Sequence, residues 1–210
     1  TVRGTCITTD GSGNVYLTGF FSLTIDFDPV SGTDTATAEG IYDTFFAKYD
    51  TVGNLVWVKS IASSTFVIAR SIHAASDGNV YLAGDFEDDT DFDPDSGTAV
   101  DSSHGGNDLF IAKYDLLGNY IWVRTSGGQS GDSGTGVVTD ANGNVYVTGF
   151  FSSFVDFNPG PATAWLFSQG SSDVFLARYD STGNFSYVKQ IASPDLDQGN
   201  DIVIDSNQDI

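Results

Sequence analysis

Gly13-Asn14-Val15-Tyr16-Leu17-Thr18-Gly19 returns as Gly78-Asn79-Val80-Tyr81-Leu82-Ala83-Gly84 and again as Gly143-Asn144-Val145-Tyr146-Val147-Thr148-Gly149. Each copy stands 65 positions after the last, with no insertion or deletion. A fixed period of this size marks a repeat architecture, in which each unit buries its apolar faces against its neighbours. Residues 1–65, 66–130 and 131–195 are three full copies, and residues 196–210 open a fourth.

Four short segments of each copy read as strands. The first spans residues 4–9, with copies at 69–74, 134–139 and 199–204. The second is the organising stretch, running on into Phe20-Phe21, Asp85-Phe86 and Phe150-Phe151. The third spans 44–49, 109–114 and 174–179, and the fourth 55–59, 120–124 and 185–189. Tight turns ending in Gly-Asn, such as Asp10-Gly11-Ser12-Gly13-Asn14, join the first strand to the second and the third to the fourth. Such turns suit hairpins with a residue at positive φ. No stretch carries a helical period, so the chain is expected to be all-β.

The strands are apolar on both faces. In the second, Val15 and Leu17 point one way while Tyr16 and Phe20 point the other. A meander with two apolar faces needs a sheet on either side, which radial stacking of identical sheets provides. The expected fold is therefore a tandem array of 65-residue, four-stranded antiparallel blades of β-propeller type. The competing arrangement, a linear β-solenoid, uses parallel strands rather than hairpins.

The recurrent Gly-Asn-Val-Tyr, Lys-Tyr-Asp and Gly-Asn-x-x-Trp-Val-Lys segments resemble the bacterial repeat family named for a seven-bladed β-propeller. The strand order is similar to that of NHL-type blades. The resemblance covers essentially the whole chain. It implies a secreted or surface-attached protein, with no catalytic activity in the repeat itself. One departure is the stretch of about 22 residues between the second and third strands.

The formal charge is −20 with only eight Lys and Arg, which argues against nucleic acid or an anionic membrane as partner. No apolar run is long enough for a membrane helix. Of the 28 acidic residues only Glu39 and Glu87 are glutamate, so 26 are Asp. Asp is the residue of turns and calcium loops. Cys6 is the single cysteine, which excludes an intrachain disulfide and any Cys-cluster metal site. The chain has no Met and starts and stops inside a repeat, so it is expected to be a piece of something longer.

The inserted stretch holds Asp26-Phe27-Asp28-Pro29, Asp91-Phe92-Asp93-Pro94 and Asp156-Phe157-Asn158-Pro159. Alternate acids before Pro can wrap oxygen ligands around calcium, and Asp91, Asp93 and Asp95 come nearest to a calcium loop. Asp26 and Asp28 are the first copy's candidates, Asp156 and Asn158 the third's. The other reading is a turn whose Asp side chains accept backbone amides while Phe27, Phe92 and Phe157 plug a gap between blades.

Lys48, Lys113 and Arg178 each follow a recurring Asp (Asp43, Asp108, Asp173) by five positions, which suggests ion pairs, the other reading being a ring of cations for an anionic ligand. Lys59, Arg124 and Lys189 end the fourth strand, where they would protect an edge. Trp57, Trp122 and Tyr187 are expected to cover blade cores, with sugar stacking as the lesser alternative. His73 and His104 occupy unrelated repeat positions without a triad context.

The leading functional expectation is a non-catalytic extracellular or cell-surface repeat segment. It would serve as a scaffold, an adhesion module or a building block of a surface fibre. Its partners would be further repeats or neighbouring copies. A calcium- or glycan-binding module is the alternative, and a piece of a propeller hydrolase or lyase is the third. Three blades alone would leave apolar faces open at both ends, so a closed monomer is not expected.

Overall fold

In the computed structural model, which describes residues 1–28, 30 and 32–210, the Gly-Asn turns close as the sequence leads one to expect. Gly13, Gly53, Gly78, Gly118, Gly143 and Gly183 all sit at positive φ, between 77° and 90°, a region that glycine enters without steric cost. Pro29, from the first Asp-Phe-Asp-Pro motif, and Ser31 lie outside the described residues.

The first copy contains β1 (Val2–Thr9), β2 (Val15–Phe21), β3 (Thr24–Asp26), β4 (Thr35–Thr37), β5 (Asp43–Tyr49) and β6 (Leu55–Ser63). The second contains β7 (Phe66–Ala74), β8 (Val80–Glu87), β9 (Asp89–Asp91), β10 (Val100–Ser102), β11 (Asp108–Tyr114) and β12 (Tyr120–Ser126). The third contains β13 (Ser133–Thr139), β14 (Val145–Phe151), β15 (Phe154–Asp156), β16 (Trp165–Phe167), β17 (Asp173–Tyr179) and β18 (Phe185–Ile191). There is no helix among the described residues.

Each copy builds one antiparallel meander, in the orders β1-β2-β5-β6, β7-β8-β11-β12 and β13-β14-β17-β18. The first strand of every blade carries a bulge, between Gly4 and Cys6, Ala69 and Ser71, and Gly134 and Gly136. Opposite it, a side chain on Gly149 would sit 1.9 Å from Ser133 O, and on Gly19 or Gly84 2.0 Å from a carbonyl. The backbone passes too close there for any Cβ, which explains why the organising stretch ends in Gly.

The insertion is more ordered than a loop. In each copy it folds as a small hairpin, β3–β4, β9–β10 or β15–β16. Leu23, Asp88 and Ser153, all at φ between 61° and 66°, turn the chain out of the second strand into it. The hairpin of the second copy also reaches the preceding blade, where β9 pairs with the end of β6 (Ala62 with Asp91, Ser63 with Thr90). Lys59 was expected to guard a free edge, yet the far end of that edge is paired.

Blades meet by a repeated apolar seam. Tyr16, Phe46 and Ile61 of the first blade pack with Val80, Leu82, Phe110 and Ala112 of the second. Tyr81, Ala83, Leu109 and Ile111 of the second pack with Val145, Val147, Phe175 and Ala177 of the third. The second and third insertions join these cores through Phe92 and Phe157, whereas Phe27 packs in a separate cluster with Phe21 and Phe45 of the first blade. Each is anchored by a tyrosine hydroxyl donating to its carbonyl: Tyr49 to Phe27 at 3.1 Å, Tyr114 to Phe92 at 3.0 Å, Tyr179 to Phe157 at 3.0 Å.

The expected strand at 199–204 does not form. The segment still docks on the third blade as β7 docks on the first. Thr135 Oγ1 donates to Gly199 O at 2.6 Å, matching Thr5 Oγ1 to Ala69 O at 2.6 Å, and Ser172 bridges Leu196 as Tyr42 bridges Phe66. Docking to the neighbouring blade is in place. Residues 199–204 pair in no sheet among the described residues.

Candidate functional site

The surplus of Asp has a local cause. At Asp10, one carboxylate oxygen accepts the amides of Ser12 and Asn14, both at 2.9 Å, and the other accepts the Asn14 side chain at 2.7 Å. The same cage recurs at Asp50, Asp115, Asp140 and Asp180. Glu is one methylene too long for this short reach. The Asn14 amide beside Asp10 and the Asn54 amide beside Asp50 hold those carboxyls below the usual range.

The predicted calcium residues are placed at three hairpin tips. Asp26 Oδ1 accepts the amides of Asp28 and Asp34, and Asp28 Oδ1 that of Val30. Asp91 Oδ1 accepts Asp93 and Ala99, and Asp93 Oδ1 accepts Asp95. Asp156 Oδ1 accepts Asn158 and Ala164, and Asn158 Oδ1 accepts Gly160. Asp95 turns away to meet Lys59 at 2.5 Å. Among the described residues no three acid, His or Cys side chains gather as a cation cage.

The basic residues inside the third strand do not pair with Asp43, Asp108 or Asp173. Those carboxylates instead accept backbone amides four residues upstream, from Glu39, His104 and Gln169, at 2.8–2.9 Å. Lys48, Lys113 and Arg178 lie over the rings of their cross-strand neighbours Tyr16, Tyr81 and Tyr146, 5.0–5.7 Å from the centroids. A face-on aromatic ring satisfies a cation without a second buried charge. Only Lys48 also approaches an acid, Asp10 at 3.8 Å. Trp57 and Trp122 do cover cores, and each indole N–H also reaches a turn carbonyl of the next blade, Leu116 O or Ser181 O, at 3.3 Å.

Departures from the period concentrate at the seam between the second and third blades. The bulge residue, Thr5 or Thr135 elsewhere, is Arg70 here, and it forms a bidentate pair with buried Asp85, one arm at 3.0 Å. Phe20 and Phe150 hold Asp85's place in the other copies. Ser133 Oγ, from the third blade, donates to the same carboxylate at 2.7 Å, and the Asn107 amide approaches it at 3.3 Å. Nearby Asp132, where the first two copies have Val2 and Val67, is fully buried and accepts the amides of Gly128 at 3.0 Å and Ser152 at 2.8 Å. Burial pushes its carboxyl up to about 7, with the Asp108 charge adding to the rise.

A groove of about 600 Å³ opens outward of this seam, bordered by Asp101, His104, Arg124, Asn158, Asn184 and Phe185. Between the first two blades the Lys59–Asp95 pair spans the corresponding place. The third copy has Gly160 where the second has Asp95. Arg124, the counterpart of Lys59, turns instead to Gly183 O at 2.9 Å and Thr182 O at 3.1 Å. A second cavity of about 350 Å³ shares His104 and Asn158 with the first and adds Phe154 and Trp165. Reading for sameness passes over these residues. The signal that finds them is the break in period at positions 70, 85, 132, 160 and 165.

No family model matches the chain. An uncharacterized WD repeat-containing protein of Acanthamoeba polyphaga mimivirus is 28% identical over 210 aligned positions, covering 86% of this chain and 15% of the viral protein. The regulatory protein FlaEY of Caulobacter vibrioides is 23% identical over 192 positions, covering 86% of this chain and 20% of its own length. The chain thus spans no more than a fifth of these curated relatives. The four-stranded antiparallel sheets and the likeness to a WD repeat-containing protein agree on a tandem repeat fold of β-propeller type.

Proposed function

We propose that the chain is a non-catalytic segment of an extracellular or cell-surface protein. In this reading its blades stack onto further copies of one interface, as a scaffold, an adhesion module or part of a surface fibre. The resemblance to the bacterial propeller repeats supports the surface setting. One observation carries the stacking: the chain makes the same apolar seam twice, Tyr16, Phe46 and Ile61 against Val80, Leu82 and Phe110, and Tyr81, Ala83 and Ile111 against Val145, Val147 and Phe175. Leu17 is half-buried on the first blade, against Phe21, Phe27 and Phe45, whereas its counterparts Leu82 and Val147 are fully buried. On the third blade Ile191 is 67% exposed, whereas its counterpart Ile61 is fully buried. On the third blade residues 199–204 already take the place that β7 takes on the first, and the outer strand is the part left uncovered. Repeated head to tail, such a seam generates rings or filaments.

Sedimentation of the 210-residue chain tests this. Association that grows with concentration is expected, and Leu17→Lys should weaken it at least about tenfold, since a lysine would be buried without a partner. A monomer at all concentrations, with the amides of residues 199–210 protected from exchange, would refute it.

In this reading the Asp side chains at the insertion tips hold their turns by accepting amides, each through one oxygen. The melting temperature is therefore expected to be the same in calcium and in chelator. A fall on chelation that disappears in Asp93→Ala would instead put calcium on Asp91 and Asp93.

A further inference from the structure

We propose that the groove at the seam of the second and third blades, with the aromatic face beside it, binds a neutral oligosaccharide. The site does not depend on how the array closes, so it can fail or hold independently of the assembly described above.

The aromatic face is peculiar to the third copy. The outward positions of the insertion hairpin are Thr24, Thr35 and Thr37 in the first copy and Asp89, Val100 and Ser102 in the second. In the third they are Phe154, Trp165 and Phe167. The exposure is not a failure of packing, since the alternate residue Val155 is fully buried beneath and alternation is what a strand imposes. Trp165 is 47% and Phe167 65% exposed, with Phe154 between them at 5.7 and 6.4 Å. Three adjoining exposed rings on one hairpin form a patch of the kind that marks a binding surface.

The groove beside the rings is polar, and its groups are already held. Asp101 accepts the Thr125 hydroxyl at 2.7 Å, His104 Nδ1 meets Asp108 at 3.1 Å, and Asn184 donates to Asp180 at 2.9 Å. Arg124 is fixed by two carbonyls of the next blade. Side chains ordered beforehand lose little entropy on binding. A pyranose offers what this combination suits: a flat C–H face for stacking and a rim of hydroxyls that both donate and accept. A lipid would leave the polar groups unpaired. An acidic polymer would meet a chain of net charge −20 with one arginine at the groove. Two adjoining cavities leave room for more than one sugar ring.

The test uses cellohexaose, maltohexaose, mannohexaose, xylohexaose and N-acetylated chitohexaose, with hexagalacturonate as acidic control. Binding is followed by tryptophan fluorescence and calorimetry. Saturable binding of at least one neutral hexasaccharide is expected. Trp165→Ala and Asp101→Ala should each weaken it about tenfold, the loss of one stacked ring or one charged hydrogen bond. Both side chains lie outside the apolar seams, and circular dichroism of each variant checks its fold. The proposal is overturned if none of the five binds, if both variants bind as well as the parent, or if hexagalacturonate is preferred. Loss of self-association in Trp165→Ala without any effect on sugar would also overturn it, by making the rings a protein interface.

Discussion

Trp122→Ala is expected to destabilise the chain by about 3–5 kcal/mol, the range for removing a buried aromatic and leaving its cavity. Trp122 is 7% exposed and belongs to the core shared by the second and third blades. Its ring meets Tyr81 edge-on at 6.1 Å, and its N–H reaches Ser181 O across the seam. Blade stacking and outer-strand anchoring are therefore lost together. Ser181 O keeps the Lys113 ammonium at 3.1 Å, so the cost comes from the cavity rather than an orphaned carbonyl. Urea unfolding followed by circular dichroism measures it. Trp165→Ala supplies the contrast, since its exposed ring should change stability by less than about 0.5 kcal/mol. A Trp122→Ala loss below about 1 kcal/mol would place that residue on a surface, contrary to its burial here.

Trp122 also marks the limit of what the residues alone disclose. That it covers a core follows from its place in a strand with two apolar faces. That its N–H crosses to the next blade does not, because a repeat read one unit at a time cannot show which turn carbonyl lies opposite. Hairpin turns, strand order and the Asp bias were legible because each is local. The insertion was legible only in part: Phe27, Phe92 and Phe157 could be read as plugs, but not the hairpins around them. Their strands are three residues long, too short to show a period of two. The Lys–Asp expectation failed for a similar reason. Spacing along one strand said nothing of Tyr16, Tyr81 and Tyr146 across the ladder. The groove stayed hidden because it is made of exceptions to the period.

Stability is expected to fall as the pH rises from about 4 to about 7, and Asp132 is the main cause. Its carboxyl titrates near 7 in the fold and near 3.9 in an unfolded chain. Below about pH 4 it is neutral in both states and costs nothing. Between the two values the unfolded chain has released the proton while the folded chain still holds it, so each step upward favours unfolding. Above 7 the carboxylate is charged in both states and the full cost of burying it remains. A difference of about three pH units corresponds to about 4 kcal/mol, an upper figure for one buried group. Burial raises Asp43 and Asp108 as well, which steepens the same slope. Asp10 and Asp140 act oppositely, since their depressed values stabilise above pH 4 and that contribution is lost in acid. The optimum should therefore lie on the acid side of neutrality. Repulsion within a chain of charge −20 slopes the same way, so the decisive measurement is a difference. Asp132→Asn keeps an oxygen for Gly128 N or Ser152 N but has nothing to ionise. Its loss of stability between pH 5 and 8 should be clearly smaller than the parent's in urea unfolding. Equal slopes would mean that the two amides hold Asp132 charged throughout, and that the acid optimum belongs to the net charge alone.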